Sequence, residues 1–181
     1  SAGGRDDGES FVFQLDQRVG RQGFDLRDDE MRFFLGDDGA EGGAVERWSD
    51  LGVSNAACPR DRIIRISRQS SSGTYDFFRE VALAKTDFKL GTLELNGSKE
   101  VVELVAHTPC AIGYSGIGYR TSGVRVVPLA EAEGMPFRDA NLANVLDGSY
   151  PLGRFLYLYV NKAPGKPLDP LIREFCRFVF S

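Results

Sequence analysis

Short apolar runs alternate along the chain with stretches in which apolar residues recur every three or four positions. ESFVFQLDQ (9–17) brings Phe11, Val12, Phe13 and Leu15 together and predicts a short strand. LRDDEMRFFLG (26–36) predicts a helix, with Leu26, Met31, Phe34 and Leu35 as candidate buried positions and Gly36 near its end. An acid- and glycine-rich loop, GDDGAEGG, and the segment ERWSDLG follow. RIIRIS (62–67) reads as a β-branched strand, and SSGTYDFFREVALA (71–84) as a helix with Phe77, Phe78, Val81 and Leu83 available for burial. LGTLELNGS (90–98) is extended and ends in an Asn-Gly turn. SKEVVELVAHT (98–108) is helical, with Val101, Leu104 and Val105 forming an i, i+3, i+4 stripe. CAIGY (110–114) and VRVVPL (124–129) read as strands, and NLANVLDG (141–148) as a short helix capped by glycine. RFLYLYV (154–160) alternates as a strand, and PLDPLIREFCRFVF (167–180) closes the chain as an amphipathic helix. Strands and helices alternate throughout, which predicts α/β architecture with a sheet covered by helices.

Composition narrows the function classes. The chain has 181 residues, 42% of them hydrophobic, enough for one domain, or one and a half, with a real core. The 21 glycines point to many turns. A net charge of −4 argues against nucleic acid or an anionic membrane as partner. No run of about 18 apolar residues is present to span a bilayer. The start, SAGGRDDGES (1–10), reads as a flexible arm or cloning scar, and no signal peptide is visible. The three cysteines, Cys58, Cys110 and Cys176, lack metal-binding spacing. Cys110 and Cys176 lie in apolar runs and read as small core residues, whereas Cys58, beside Pro59, suits either a disulfide or a free thiol.

Candidate chemistry is concentrated in RISRQSSSGTYDFF (65–78), which leaves a strand and opens a helix. The first turn of a helix has N–H groups without internal partners and carries partial positive charge. Ser72 and Thr74 add hydroxyls, Gly73 lets a ligand approach the backbone, and Arg68 can bring a planar cation to the same point. Together they suit a tetrahedral oxyanion. The plainer reading is that Ser71 or Ser72 is an ordinary N-cap, worth about 1 kcal/mol, with Arg68 solvated. Catalytic signals are weaker. GYSG (113–116) departs from the nucleophile elbow at Ile117, and the single histidine, His107, falls at a helix end where a surface or capping role is ordinary. The phosphate-binding pattern G-x-x-x-x-G-K-S/T is absent, and EF-hand spacing is absent from the acidic loop.

Four segments in order resemble the PstS-type phosphate-binding proteins of bacterial ABC transporters. RISRQSSSGTYDFF is similar to that family's R-x-x-x-S-G-T-x-x-x-F signature, and GSKEVVELVAHTPCAIGYSGIGY to its helix followed by a P-x-A-I-G-Y strand. SYPLGRFLYLYVNKAPGKPLDPLIREFCRFVFS resembles its return strand and closing helix, and LRDDEMRFFLGD with VERWSDLG the entry to its second lobe. The resemblance covers roughly residues 11–181. It implies a periplasmic-binding-protein-like α/β lobe with a mixed, mostly parallel sheet flanked by helices and an incomplete first lobe. Residues 1–10 would then be the arm, 11–25 the crossover from lobe one, 26–128 the second lobe, and 129–181 the return segment. By the same resemblance, phosphate is bound by a fork from Arg68, hydroxyls of Ser72 and Thr74, and N–H groups of Gly73 and Thr74, with no cofactor, metal or catalysis. It further implies a periplasmic or cell-surface location and ABC-transporter membrane components as partners.

Two departures stand out. The first lobe's opening strands, with the phosphate loop and the carboxylate that selects hydrogen phosphate over sulfate, are missing. The chain is therefore a fragment, or its missing half lies on another chain, or it is a shortened relative with a changed task. Many family members also place an acidic residue between the arginine and the serines, where this chain has Gln69 and Ser70. The alternative function is a non-catalytic sensor or interaction module on the same fold, indifferent to phosphate. It predicts an exposed apolar patch around Phe11, Phe13, Leu156 and Leu158, and self-association through open strands.

Overall fold

The computed structural model describes residues 11–16, 24–25, 45–53, 58, 60–132, 134–155 and 157–181, the first two segments as backbone only. The helix expected over 26–36 and the acidic loop to residue 43 lie outside the described residues.

Five strands form the main sheet: β1 (Phe11–Asp16), β3 (Ile64–Arg68), β4 (Leu93–Leu95), β5 (Ala111–Gly116) and β6 (Val124–Val126), in the order β4-β3-β5-β1-β6. β3 runs parallel to β4 and β5, while β1 runs antiparallel to β5 and β6. A second, two-stranded parallel sheet joins β2 (Phe24–Asp25) to β7 (Leu129–Ala130). The architecture is α/β, as the alternation of elements predicts, and the sheet is mixed, as the resemblance implies.

The period of two in β3 and β5 decides what covers each face. On one face Ile66, Ala111 and Val124 meet Val101, Val102 and Val105 of α2 (Ser98–His107). The expected stripe is therefore shifted slightly: Val102 joins it and Leu104 sits half-buried at its edge. Gly113 of β5 permits this packing, because a Cβ there would lie 3.0 Å from Val101 Cγ1, Val105 Cγ2 and the Ile66 carbonyl oxygen. On the other face Ile112 and Tyr114 meet Phe78 of α1 (Gly73–Val81), Trp48, Val145 of α3 (Leu142–Leu146), Tyr150 and Leu152. The Phe78 and Tyr114 rings stack 4.0 Å apart at 6°. Trp48 sits in a 3-10 turn (Trp48–Leu51), and its indole N–H donates to the Cys110 carbonyl at 3.1 Å.

Several expectations are corrected. Val81 is exposed; α1 ends there, and the inward places fall to Phe78, Ala82 and Leu83. Cys110 is buried but is not a simple core residue: it forms a disulfide with Cys58, with Cα atoms 5.2 Å apart. Cys176 is free and half-buried on α4 (Pro170–Val179). Residues 154–160 do not form a strand in the described structure. A strand's N–H and C=O groups need a neighbour, and no described strand pairs with this segment. Of the four residues expected to form an apolar patch, Leu158 is exposed, and the side chains of Phe11, Phe13 and Leu156 lie outside the described residues.

Candidate anion-binding site

β3 ends at Arg68 and α1 begins at Gly73, so the serine run is the turn between them. The turn sits at the carboxyl ends of the parallel strands β3 and β4, where open α/β sheets bind ligands. Its first half is tightly fixed. The Gln69 N–H donates to the Leu95 carbonyl at 3.0 Å, and the Ser72 N–H to the Gln69 carbonyl at 2.9 Å. Ser72 is the N-cap: its backbone is extended and its hydroxyl accepts from the Thr74 N–H at 3.2 Å. The plainer expectation for this serine is therefore met. Its carbonyl accepts the first helical bond, from the Asp76 N–H at 3.1 Å.

Arg68 is not the solvated side chain of that plainer reading. One terminal guanidinium nitrogen donates to Ser98 Oγ at 2.6 Å and Thr74 Oγ1 at 3.4 Å, and the other to the Asn96 carbonyl at 2.7 Å. Ser98 is the first residue of α2, so Arg68 lies between the first turns of two helices. Its Nε is buried and has no hydrogen-bond partner among the described residues. All of its partners among the described residues are neutral, so none of them offsets the guanidinium charge. Where the resemblance implies an acidic orienting residue, this chain has Gln69 and Ser70, and Arg68 is held instead by Ser98 and the Asn96 carbonyl.

Gly73 does not have the left-handed backbone that would itself demand glycine, and a Cβ at this position would meet nothing within 4 Å. The space in front of the first turn of α1 is open. Beneath the turn, the Ser67 hydroxyl and the Tyr114 hydroxyl lie 2.6 Å apart, and the Arg68 N–H reaches the same Tyr114 oxygen at 3.4 Å. Burial pushes the Tyr114 phenol well above its ordinary value and outweighs the Ser67 hydrogen bond, so it stays neutral.

The four residues singled out from the sequence, Arg68, Ser72, Gly73 and Thr74, are thus brought to one point. Sequence reasoning missed Ser98 and Asn96, which hold Arg68. It also missed Arg154, which donates to the Gly73 carbonyl at 3.2 Å and lies 5.1 Å from the centre of the Phe77 ring. A serine directly after the Asn96-Gly97 turn, at the start of a helix, repeats the strand–turn–helix layout of residues 65–78 and was the available signal. For Arg154 no local signal existed, because 81 residues separate it from Gly73. The hydrolase pattern is not assembled. Ser115, the last residue but one of β5 before a 3-10 turn (Ile117–Tyr119), is fully buried and its hydroxyl donates to the Gly116 carbonyl at 3.2 Å, and His107 is exposed at the end of α2, its Nδ1 2.7 Å from the Glu103 carbonyl. No cluster of three or more potential metal ligands occurs among the described residues.

Residues 41–181 match the PBP superfamily domain. The phosphate-binding protein PstS of Pseudomonas aeruginosa is 48% identical over 137 residues, which make up 76% of this chain and 42% of that protein. PstS of Staphylococcus haemolyticus is 34% identical over 140 residues, 75% of this chain and 42% of that protein. The chain thus spans well under half the length of the curated relatives it matches. Among solved structures, an ABC-type phosphate transport receptor from Vibrio cholerae superposes with a TM-score of 0.68 at 20% identity, covering 96% of this chain and 64% of the receptor. That likeness speaks for the fold, and the sequence matches speak for the kinship: this chain belongs to the PBP superfamily, and its sequence relatives there are PstS-type phosphate-binding proteins.

Proposed function

We propose that this chain binds inorganic phosphate at the turn between β3 and α1, as the second-lobe half of an extracytoplasmic receptor that delivers the ion to ABC-transporter membrane components. The observation that carries the reading is Arg68, held by Ser98 and the Asn96 carbonyl beside the open first turn of α1. A phosphate there would take charge-assisted hydrogen bonds from Arg68, hydroxyl bonds from Ser72 and Thr74, and N–H groups from Gly73 and Thr74. Because the residues that orient Arg68 are neutral, its charge is left to the ligand. Nothing in this role requires bond making or breaking; the work is binding alone. The names of the relatives supply the substrate class. The Cys58–Cys110 disulfide supports an oxidising compartment. In this reading residues 26–128 are the second lobe and 129–181 return toward the first.

A lone lobe leaves the ion half-solvated, so weak, millimolar-range affinity is expected. The test is calorimetric titration with phosphate, sulfate as competitor, and Arg68→Ala as control. Saturable heat that disappears in the variant supports the receptor reading. The second reading, an interaction module, draws on the exposed aromatic residues after Leu152, among them Tyr157, Tyr159 and Phe178. It predicts no phosphate heat and a self-associated chain by light scattering.

A further inference from the structure

At the opposite end of β3 from Arg68 lies a surface pocket of about 460 Å³ lined by Glu46, Arg47, Arg60 and Arg62. Arg62 precedes β3 and lies six residues before Arg68, about 20 Å along extended backbone, so this pocket is separate from the α1 turn. Arg47 and Arg62 face each other across an isolated antiparallel bridge. The backbone bonds flank the pair, Trp48 N–H to the Asp61 carbonyl and Ile63 N–H to the Glu46 carbonyl, both at 2.9 Å. This makes it a non-hydrogen-bonded pair, the arrangement that brings side chains closest. Like charges placed directly opposite in this way are destabilising unless something lies between them.

The carboxylates near them among the described residues, Glu46, Asp50 and Asp61, offset this charge only in part. Glu46 is engaged with two buried cations, Lys89 Nζ at 2.9 Å and Arg65 at 3.5 Å, and stands 3.8 Å from Arg62. Burial works to raise its pKa, but the hydrogen bond from Lys89 and the charges of Arg65, Lys89 and Arg62 hold it below the ordinary value. Asp50 accepts the backbone N–H groups of Glu46 and Arg47 at 3.0 and 2.9 Å, and Asp61 accepts the Ser49 N–H at 3.2 Å and its hydroxyl. Arg47 and Arg60 make no ion pair among the described residues. Three exposed guanidinium groups therefore rim a pocket with more room than one tetrahedral oxyanion fills. Planar forks of this kind match phosphoryl oxygens in pairs.

We infer that this pocket is a second anion site, for a small condensed phosphate such as pyrophosphate or tripolyphosphate, held by Arg47, Arg60 and Arg62. The inference is independent of the reading of the α1 turn. The experiment is titration of the full 181-residue chain with tripolyphosphate at physiological salt, comparing the parent, Arg68→Ala, and the double variant Arg47→Gln/Arg62→Gln. The parent and Arg68→Ala should bind alike. The double variant should bind more weakly, by about tenfold for each arginine lost. Both substitutions are at exposed positions and relieve a repulsion, so a thermal midpoint no lower than the parent's shows that the fold is intact. Absence of saturable binding in the parent, binding unchanged in the double variant, or binding lost in Arg68→Ala would each overturn the inference.

Discussion

Residues 62–84 and residues 154–180 carry the same kind of pattern, an apolar alternating run followed by an amphipathic helix, yet they meet different fates. RIIRIS becomes β3 because β4 and β5 stand on either side of it. RFLYLYV has no described strand beside it and forms none among its described residues. Both helices form. α1 buries Phe78 completely, whereas α4 buries none of its residues and leaves Phe178 80% exposed. A helix closes its hydrogen bonds within itself, so α4 needs only its ends satisfied: Asp169 accepts from the Leu171 and Ile172 N–H groups, and Pro170 occupies the first turn. A strand has no such resource. Amphipathic pattern is thus sufficient for the helix and insufficient for the strand.

The contrast is sharpest at single aromatic side chains. Phe78→Ala removes a ring stacked on Tyr114 and should cost about 3–5 kcal/mol, read as a lowered midpoint in urea unfolding. An effect near zero would mean that the packed region is not the stable one. Next in size is the disulfide, which links residues 52 positions apart and ties the segment after Trp48 to the edge of β5. Reduction, or the Cys58→Ser/Cys110→Ser pair, should lower stability by roughly 2–4 kcal/mol, with the reduced chain melting at a lower temperature. A smaller loss is expected in acid. The Glu46 pKa is held below 4.5 in the folded chain, so its contribution is complete above pH 4.5 and is lost as pH falls through the lowered value. Thermal melts across that range should show it, and Glu46→Gln should flatten the acid limb while lowering the neutral-pH midpoint. The smallest effect belongs to Phe178→Ala, within about 0.5 kcal/mol. A larger cost in the isolated chain would reveal a covering for α4 and erase the comparison.

Much of the candidate site was readable in one dimension, because strand, turn and helix start are contiguous. Arg68, Ser72, Gly73 and Thr74 lie within seven residues, and a strand followed by a capped first turn forces them together. The orientation of Arg68 was not readable. It depends on Ser98 and the Asn96 carbonyl, which reach it only because β4 pairs with β3 and α2 starts where β4 stops. Arg154, and the opposition of Arg47 to Arg62, arise in the same way from contacts between distant segments. The disulfide was open in the sequence for a similar reason: composition offers three cysteines, and only the packing brings two of them within bonding distance.

By itself, then, the sequence determined the helices described after residue 70, the Ser72 cap of α1, the α/β class, and the short signature at the end of β3. Each of these rests on interactions between residues a few positions apart. The tertiary structure alone decided which apolar run became a strand, which cysteine bonded Cys58, and which neutral groups aim Arg68, because a strand, a disulfide and an oriented guanidinium each need a partner that local sequence cannot supply.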